Sequence, residues 1–227
     1  MAFKSTFDPV AQGLFRLRYL FVNMYMHGTS DNWVLIDAGL QGSANDIVEA
    51  AESQFGEGKP PQAYILTHGH FDHVGAFPEL FEKWDVPIYA HELEMPFLTG
   101  QRDYVEPDPT VGKGANPNKA NDWGDRVKTL PDDGSIPHMP GWKWIHTPGH
   151  TEGQVALYRE SDRVLIAGDT FVTTQQESLY EVIQQKEGVQ GPPAYFTPDW
   201  TAARESVEKL AALHPEIAAT GHGTPMS

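Results

Sequence analysis

Four side chains able to bind a metal ion stand within six residues at His68-Gly69-His70-Phe71-Asp72-His73, directly after the apolar run Ala63 to Leu66. Imidazole nitrogens and carboxylate oxygens suit zinc, iron or manganese, and a chain needing only a packed core has no use for such a density of them. The competing reading is a polar loop of histidines satisfied by ordinary hydrogen bonds. In an extended backbone residues i and i+2 project to the same side, so His68 and His70 can approach one ion together. Asp72 and His73, close to the start of a helix expected over Val74 to Trp84, can then face a second ion.

Further candidate ligands follow short apolar or β-branched runs. His150 comes after Trp142 to Ile145, Asp169 after Val164 to Ala167, and His222 after Ile217 to Ala219. Each therefore reads as a residue at the mouth of a strand, beside a glycine that lets the backbone turn sharply. A lone histidine is more often a satisfied surface or core residue; here the agreement of several carries the argument.

In this order His68-Gly-His70-Phe-Asp72-His73, His150, Asp169 and His222 resemble the metallo-β-lactamase superfamily, over nearly the whole chain. The resemblance implies that His68, His70 and His150 bind one divalent ion, Asp72, His73 and His222 a second, and that Asp169 bridges both. Asp37, in Leu35-Ile36-Asp37-Ala38-Gly39, is similar to the family's aspartate that supports the ligands from behind; its competing reading is a turn residue. The implied fold is α+β, an αββα sandwich of two mixed sheets packed face to face with helices outside.

The chemistry implied is hydrolysis of a small ester, lactone or thioester. Two ions, zinc in first place with iron or manganese acceptable, would lower the pKa of a shared water and polarise the substrate carbonyl. Asp72 has two candidate roles, ligand of the second ion or proton carrier to the leaving group. The stretches around His68 and His150 are similar to those of glyoxalase II-like thioesterases. The tyrosine that lactonases of the superfamily carry shortly after the bridging aspartate has no counterpart in Asp169-Thr170-Phe171-Val172-Thr173. One alternative is a single iron held by His68, His150 and Asp169 that activates oxygen, as in related sulfur dioxygenases. The other is a metal-binding module without turnover.

Composition narrows the partners. A net charge of −15 repels a phosphate backbone, so a small-molecule substrate is expected and nucleic acid is not. With no cysteine, disulfides, thiolate ligands and cysteine nucleophiles are excluded. Neither a leader peptide nor an apolar stretch of membrane-spanning length is read, so a single domain over 1–227 in the cytoplasm, away from membranes, is expected.

Strands are expected at Leu14 to Met24, Trp33 to Ile36, Ala63 to Leu66, Trp142 to Ile145, Val155 to Tyr158, Val164 to Ala167 and Ile217 to Ala219. Helices are expected at Ala44 to Phe55, capped by Ser43, and at Pro198 to Leu213. In the latter, Trp200, Ala203, Val207, Leu210 and Leu213 make one core-facing stripe. The stretch 99–140, crowded with Pro, Gly, Asn and Asp, reads as an irregular excursion, whether a lid, a solvated loop or a contact between copies in a homo-oligomer. The segment 171–197 reads as a pocket wall, with a short helix near Tyr180 and with Phe171, Tyr180 and Tyr195 as candidate lining groups, each with packing as its competing role. His27, His91, His138, His146 and His214 are left outside the site; His91 alone, after Ile88 to Ala90, is a candidate support or a helix-start residue.

Overall fold

A computed structural model describes residues 5–106, 118–174 and 187–227. The first half is β1 (Thr6–Ala11), β2 (Leu14–Tyr19), β3 (Val22–Thr29), β4 (Asn32–Ile36), α1 (Ala44–Phe55), β5 (Ala63–Ile65), α2 (Phe71–Val74), α3 (Phe77–Lys83), β6 (Ile88–Ala90) and α4 (Met95–Leu98). There follow β7 (Val127–Thr129), β8 (Trp142–His146), β9 (Val155–Arg159), β10 (Val164–Ile166), β11 (Val172–Thr174), β12 (Glu187–Gln190), α5 (Trp200–Ala211) and β13 (Ile217–Ala219).

Strands β1 to β7 form one sheet in sequence order, antiparallel through β4 and parallel from β4 to β7. A second sheet runs β13-β10-β9-β8, with β10 and β13 parallel and the other pairs antiparallel. Both are mixed, as expected, and β11 and β12 add a small ribbon.

The period-two alternation of the strands assigns the layers. On β4, Trp33 and Leu35 point to a core shared with Ile47, Ala51 and Phe55 of α1 and Phe77 and Leu80 of α3. Their neighbours Val34 and Ile36 point the other way, into a core shared with Val155, Leu157, Val164 and Ile166 of the second sheet. On that sheet Ala156 and Leu165 face outward and meet Leu210 of α5. Helix, sheet, sheet and helix follow in that order, the αββα sandwich of an α+β protein.

Several local expectations are corrected. Leu14 to Met24 is two strands, because Leu20 takes a left-handed φ of 57° and reverses the chain between β2 and β3. Ser43 does not cap α1: its own backbone is already helical, and its hydroxyl donates to Leu40 O at 2.7 Å. The helix expected over Val74 to Trp84 is broken into α2 and α3, and the first of them begins early enough to carry Asp72 and His73. Trp200, placed by the stripe in the core, is 52% exposed at the start of α5, whereas Ala203 and Leu210 are buried. Within the stretch expected to be irregular, β7 extends the first sheet. Tyr180 lies outside the described residues, as does the short helix expected there. Among the described residues no helix is long and apolar enough to cross a membrane.

Trp33 is 1% exposed, stacks on Phe55 at 4.5 Å between centroids and meets the edge of Trp84 at 5.6 Å. Trp33→Ala removes a large ring from the first core and is expected to cost about 3–5 kcal/mol. Urea unfolding should show the loss as a lower midpoint at unchanged slope.

Candidate metal centre

The strand ends bring the candidate ligands together. β4 and β5 are parallel neighbours with Ile36 beside Ile65, and the amide of Asp37 donates to Ile65 O at 3.0 Å, so Asp37 and the Thr67-His68 turn emerge side by side. β10 and β13 are likewise parallel, with Ile166 beside Ala219, so Asp169 and His222 leave the second sheet together. His70 keeps an extended backbone at φ −67°, ψ 153°, and α2 starts immediately after it, turning Asp72 and His73 inward on one turn.

Two glycines make this approach sterically feasible. A Cβ on Gly221 would stand 2.1 Å from Asp169 Oδ1 and 2.7 Å from His73 Cε1. A Cβ on Gly69 would stand 2.1 Å from the Tyr104 hydroxyl, so the space between His68 and His70 admits that tyrosine as well as leaving the imidazoles clear.

All seven expected ligands are buried and converge. Three groupings result, His68 with His70 and His150, His68 with His73 and Asp169, and Asp72 with His73 and His222; within each, one nitrogen or oxygen per residue lies within 4.8 Å of the others. His70 Nδ1 stands 2.9 Å from His150 Nε2. His222 Nε2 stands 3.1 Å from Asp169 Oδ2 and 3.3 Å from Asp72 Oδ2. Asp169 reaches both sides of the cluster, with Oδ2 3.6 Å from His150 Nε2 and Oδ1 3.5 Å from His73 Nε2.

Hydrogen bonds behind the imidazoles decide which nitrogen faces inward. His73 Nδ1 donates to Asp37 Oδ2 at 2.8 Å, and His222 Nδ1 to Phe21 O at 3.0 Å. The Thr197 hydroxyl donates to Pro193 O and so accepts from His150 Nδ1 at 3.1 Å. The Thr67 hydroxyl donates to Asp37 Oδ2 and accepts from His68 Nδ1 at 3.2 Å. Four rings thereby turn Nε2 to the centre, while His70 offers Nδ1. His68 Nε2, His73 Nε2 and Asp169 Oδ1 are buried with no hydrogen-bond partner. Buried polar atoms without partners are costly, and a cation among them is the partner that fits this donor set.

Charge is divided across the cluster. Burial, reinforced by neighbouring imidazoles, holds His68 and His150 well below the usual histidine range and pushes His70 down to about 3, so these three are neutral. Burial also opposes charge on His73 and His222, but Asp169 outweighs it, with help from Asp37 and Asp72 respectively. His73 is held well above its ordinary value and His222 is raised to about 10. Asp169 resists its own burial through His222 and His73 and stays ionised.

Glu94 has no motif around it and is not among the expected site residues. It is fully buried, accepts from Gly69 N at 3.0 Å, Thr151 Oγ1 at 2.5 Å, Gly153 N at 3.1 Å and the Tyr104 hydroxyl, and so ties the loop of His68 and His70 to that of His150. His91 takes its helix-start reading: its Nδ1 accepts from Leu93 N, and its ring stacks on His146 away from the cluster.

A cavity of about 640 Å³ opens over the cluster. His70, Asp72, His150, Asp169 and His222 are on its floor, with Phe21, Tyr195, Phe196 and Trp200 on its walls. Tyr195 thus takes the expected place. Phe171 does not line the cavity and packs instead against the Ala156, Leu165, Ala167 and Leu210 cluster, because it follows Asp169 back over the second sheet.

Asp37→Asn keeps the shape and tolerates the left-handed backbone at this position (φ 58°), but removes the charge behind His73. Metal affinity, measured by competition with a chelating dye, is expected to fall about 10–100-fold with the fold retained. In metal-free protein His222, raised to about 10, carries a proton at pH 7.5 and His73 is raised in the same direction by Asp169 and Asp37, whereas a metal ligand must be deprotonated. Adding zinc in weak buffer near neutral pH should therefore release protons, read by a pH indicator, and fewer at a pH above 10.

The family profile described as Metallo-beta-lactamase superfamily matches residues 17–222. A probable metallo-hydrolase, YflN of Bacillus subtilis strain 168, is 47% identical over 227 residues, covering 96% of this chain and 86% of that one. TTHA1623, whose crystal structure is in a di-iron-bound form, superposes with a TM-score of 0.60 at 28% identity, covering 93% of this chain and 92% of that one. The BLEG-1 B3 metallo-beta-lactamase superposes with a TM-score of 0.62 at 25% identity, covering 98% and 93%. With its profile matched from the second strand to the last histidine of the cluster, the chain belongs to the metallo-β-lactamase superfamily.

Proposed function

We propose that this chain is a metallohydrolase that holds two divalent cations, zinc in first place, and cleaves a small ester, lactone or thioester. The observation that carries the reading is the trio of partnerless buried atoms, His68 Nε2, His73 Nε2 and Asp169 Oδ1, set among the other inward-facing ligand atoms. His68, His70 and His150 would hold one cation, Asp72, His73 and His222 the other, with Asp169 between them.

Bound there, the cations would supply an activated water and a Lewis acid for the substrate carbonyl. The protein's own groups do the rest. The five ligands on the cavity floor set where a carbonyl can sit, and the walls above orient its substituents. Asp72 lines the cavity beside His222 and is held below the usual carboxylate range by His222 and His73 against its burial. It is therefore ionised and open to the substrate, placed to take up a proton and pass it to the leaving oxygen or sulfur. Neither serine nor cysteine attack is required.

A single-iron centre on His68, His150 and Asp169 accounts for the geometry less well, because it leaves the converging group Asp72, His73 and His222 without an ion to hold.

Purified protein reconstituted with zinc should bind two ions per chain and release acid from at least one ester, lactone or thioester in a panel. One iron per chain with oxygen uptake would overturn the reading. Asp72→Ala should lower kcat by about 10²–10⁴-fold, the range for loss of a proton-transfer group. Metal content tells its two roles apart, falling to one ion if Asp72 is a ligand and staying at two if it carries the proton.

A further inference from the structure

The cavity walls carry information about the substrate that the ligand set does not. Resting on the hydrolase reading above, we infer that the cavity selects an uncharged substrate with an apolar tail, an alkyl- or aryl-bearing ester or lactone, and disfavours substrates with a free carboxylate away from the scissile bond.

No lysine or arginine lines the cavity among the described residues, and the polar side chains on its walls, Thr174 and Gln190 among them, are uncharged. Arg16, a buried cation reaching the residue after His222, is already committed, with Nη1 donating to Gly223 O and Nη2 paired with Asp8 at 3.0 Å. A carboxylate on the distal part of a substrate would lose its hydration against these aromatic walls and find no cation in return among the described residues that line them. The net charge of −15 adds a general repulsion of anions.

The apolar surface begins at the ligands themselves. Phe21 stacks on the His222 ring at 5.9 Å and 22°, and Phe196 lies 5.5 Å from the His70 ring, 6.3 Å from Phe71 and 4.8 Å from Tyr195. A carbonyl seated on the floor would thus have aromatic faces on two sides, with no polar spacer between reacting centre and wall. Trp200 lines the same cavity while 52% exposed, which is unusual for an indole unless something covers it in use. Ester, lactone and thioester are not equivalent against such walls. A glutathione thioester, with two free carboxylates and an ammonium remote from the scissile bond, fits poorly.

The test compares two series on metal-loaded protein. γ-Lactones with alkyl tails of increasing length are assayed for hydrolysis. The matching γ-lactams, unstrained amides that resist cleavage, are titrated by calorimetry. KM for the lactones and Kd for the lactams should both fall about fourfold per added methylene until the cavity is filled, the fold-change of a buried CH₂. A terminal carboxylate on the same tail should weaken both by at least about tenfold, as should Trp200→Ala for the longest tail. Flat dependence on tail length, or equal binding of the carboxylate-tailed compounds, overturns the inference while leaving hydrolysis standing. Lactams that bind with the expected slope while no carbonyl compound is cleaved would instead sink the hydrolase reading and keep the apolar cavity.

Discussion

The Asp37 carboxylate holds three separately built pieces of chain in one place. Its Oδ1 accepts from Thr67 N at 2.8 Å, and its Oδ2 accepts from the Thr67 hydroxyl at 2.7 Å and from His73 Nδ1 at 2.8 Å. Thus the end of β4, the turn after β5 and the turn of α2 share one buried anion, itself in a left-handed backbone that costs of order 1–3 kcal/mol. Charge-assisted bonds of this kind are about twice as strong as neutral ones and repay that strain. They also fix the orientation of His73 and, through Thr67, of His68.

Glu94 does on the other side what Asp37 does here, though with neutral partners. Burial raises its carboxyl above the usual range, while Thr151, Tyr104 and two backbone amides pull the other way. A second buried acid thus spans the loops of His70 and His150, the pair whose nitrogens approach to 2.9 Å. With one carboxylate knot behind each half of the cluster, the ligands are placed by hydrogen bonds to rigid strand ends. This placement holds before any cation contributes, the arrangement expected of a preorganised site.

The residues that converge were readable because each stands at the end of an apolar run, and the alternation within those runs foretold two buried faces. What was not readable has particular causes. β1 is interrupted by Asp8-Pro9, which an edge strand tolerates but a pattern reading rejects. The reversal at Leu20 uses a left-handed leucine, where sequence signals would call for glycine or asparagine. Glu94 is one of two glutamates in a short 3-10 turn, and only the fold tells it from exposed Glu92 and reveals its four donors. Trp200 obeys the helical spacing of a core stripe, yet the first turn of α5 overhangs the cavity, so the same periodicity yields a core residue at Ala203 and a wall residue at Trp200.

The distribution of charge on the floor explains why the walls can be so apolar. Three neutral imidazoles lie on one side, while on the other His73 and His222, both raised towards the charged form, face the carboxylates of Asp169 and Asp72, so opposite charges are paired within the metal-free cluster. Taking ions out of water costs several kcal/mol each unless partners replace the lost hydration, and here the partners are within the cluster or directly behind it. No compensating charge is then required of Phe21, Phe196 or Trp200. The electrostatic work is confined to one layer at the strand ends, and the surface above it is free to be shaped by hydrophobic contact with whatever is bound.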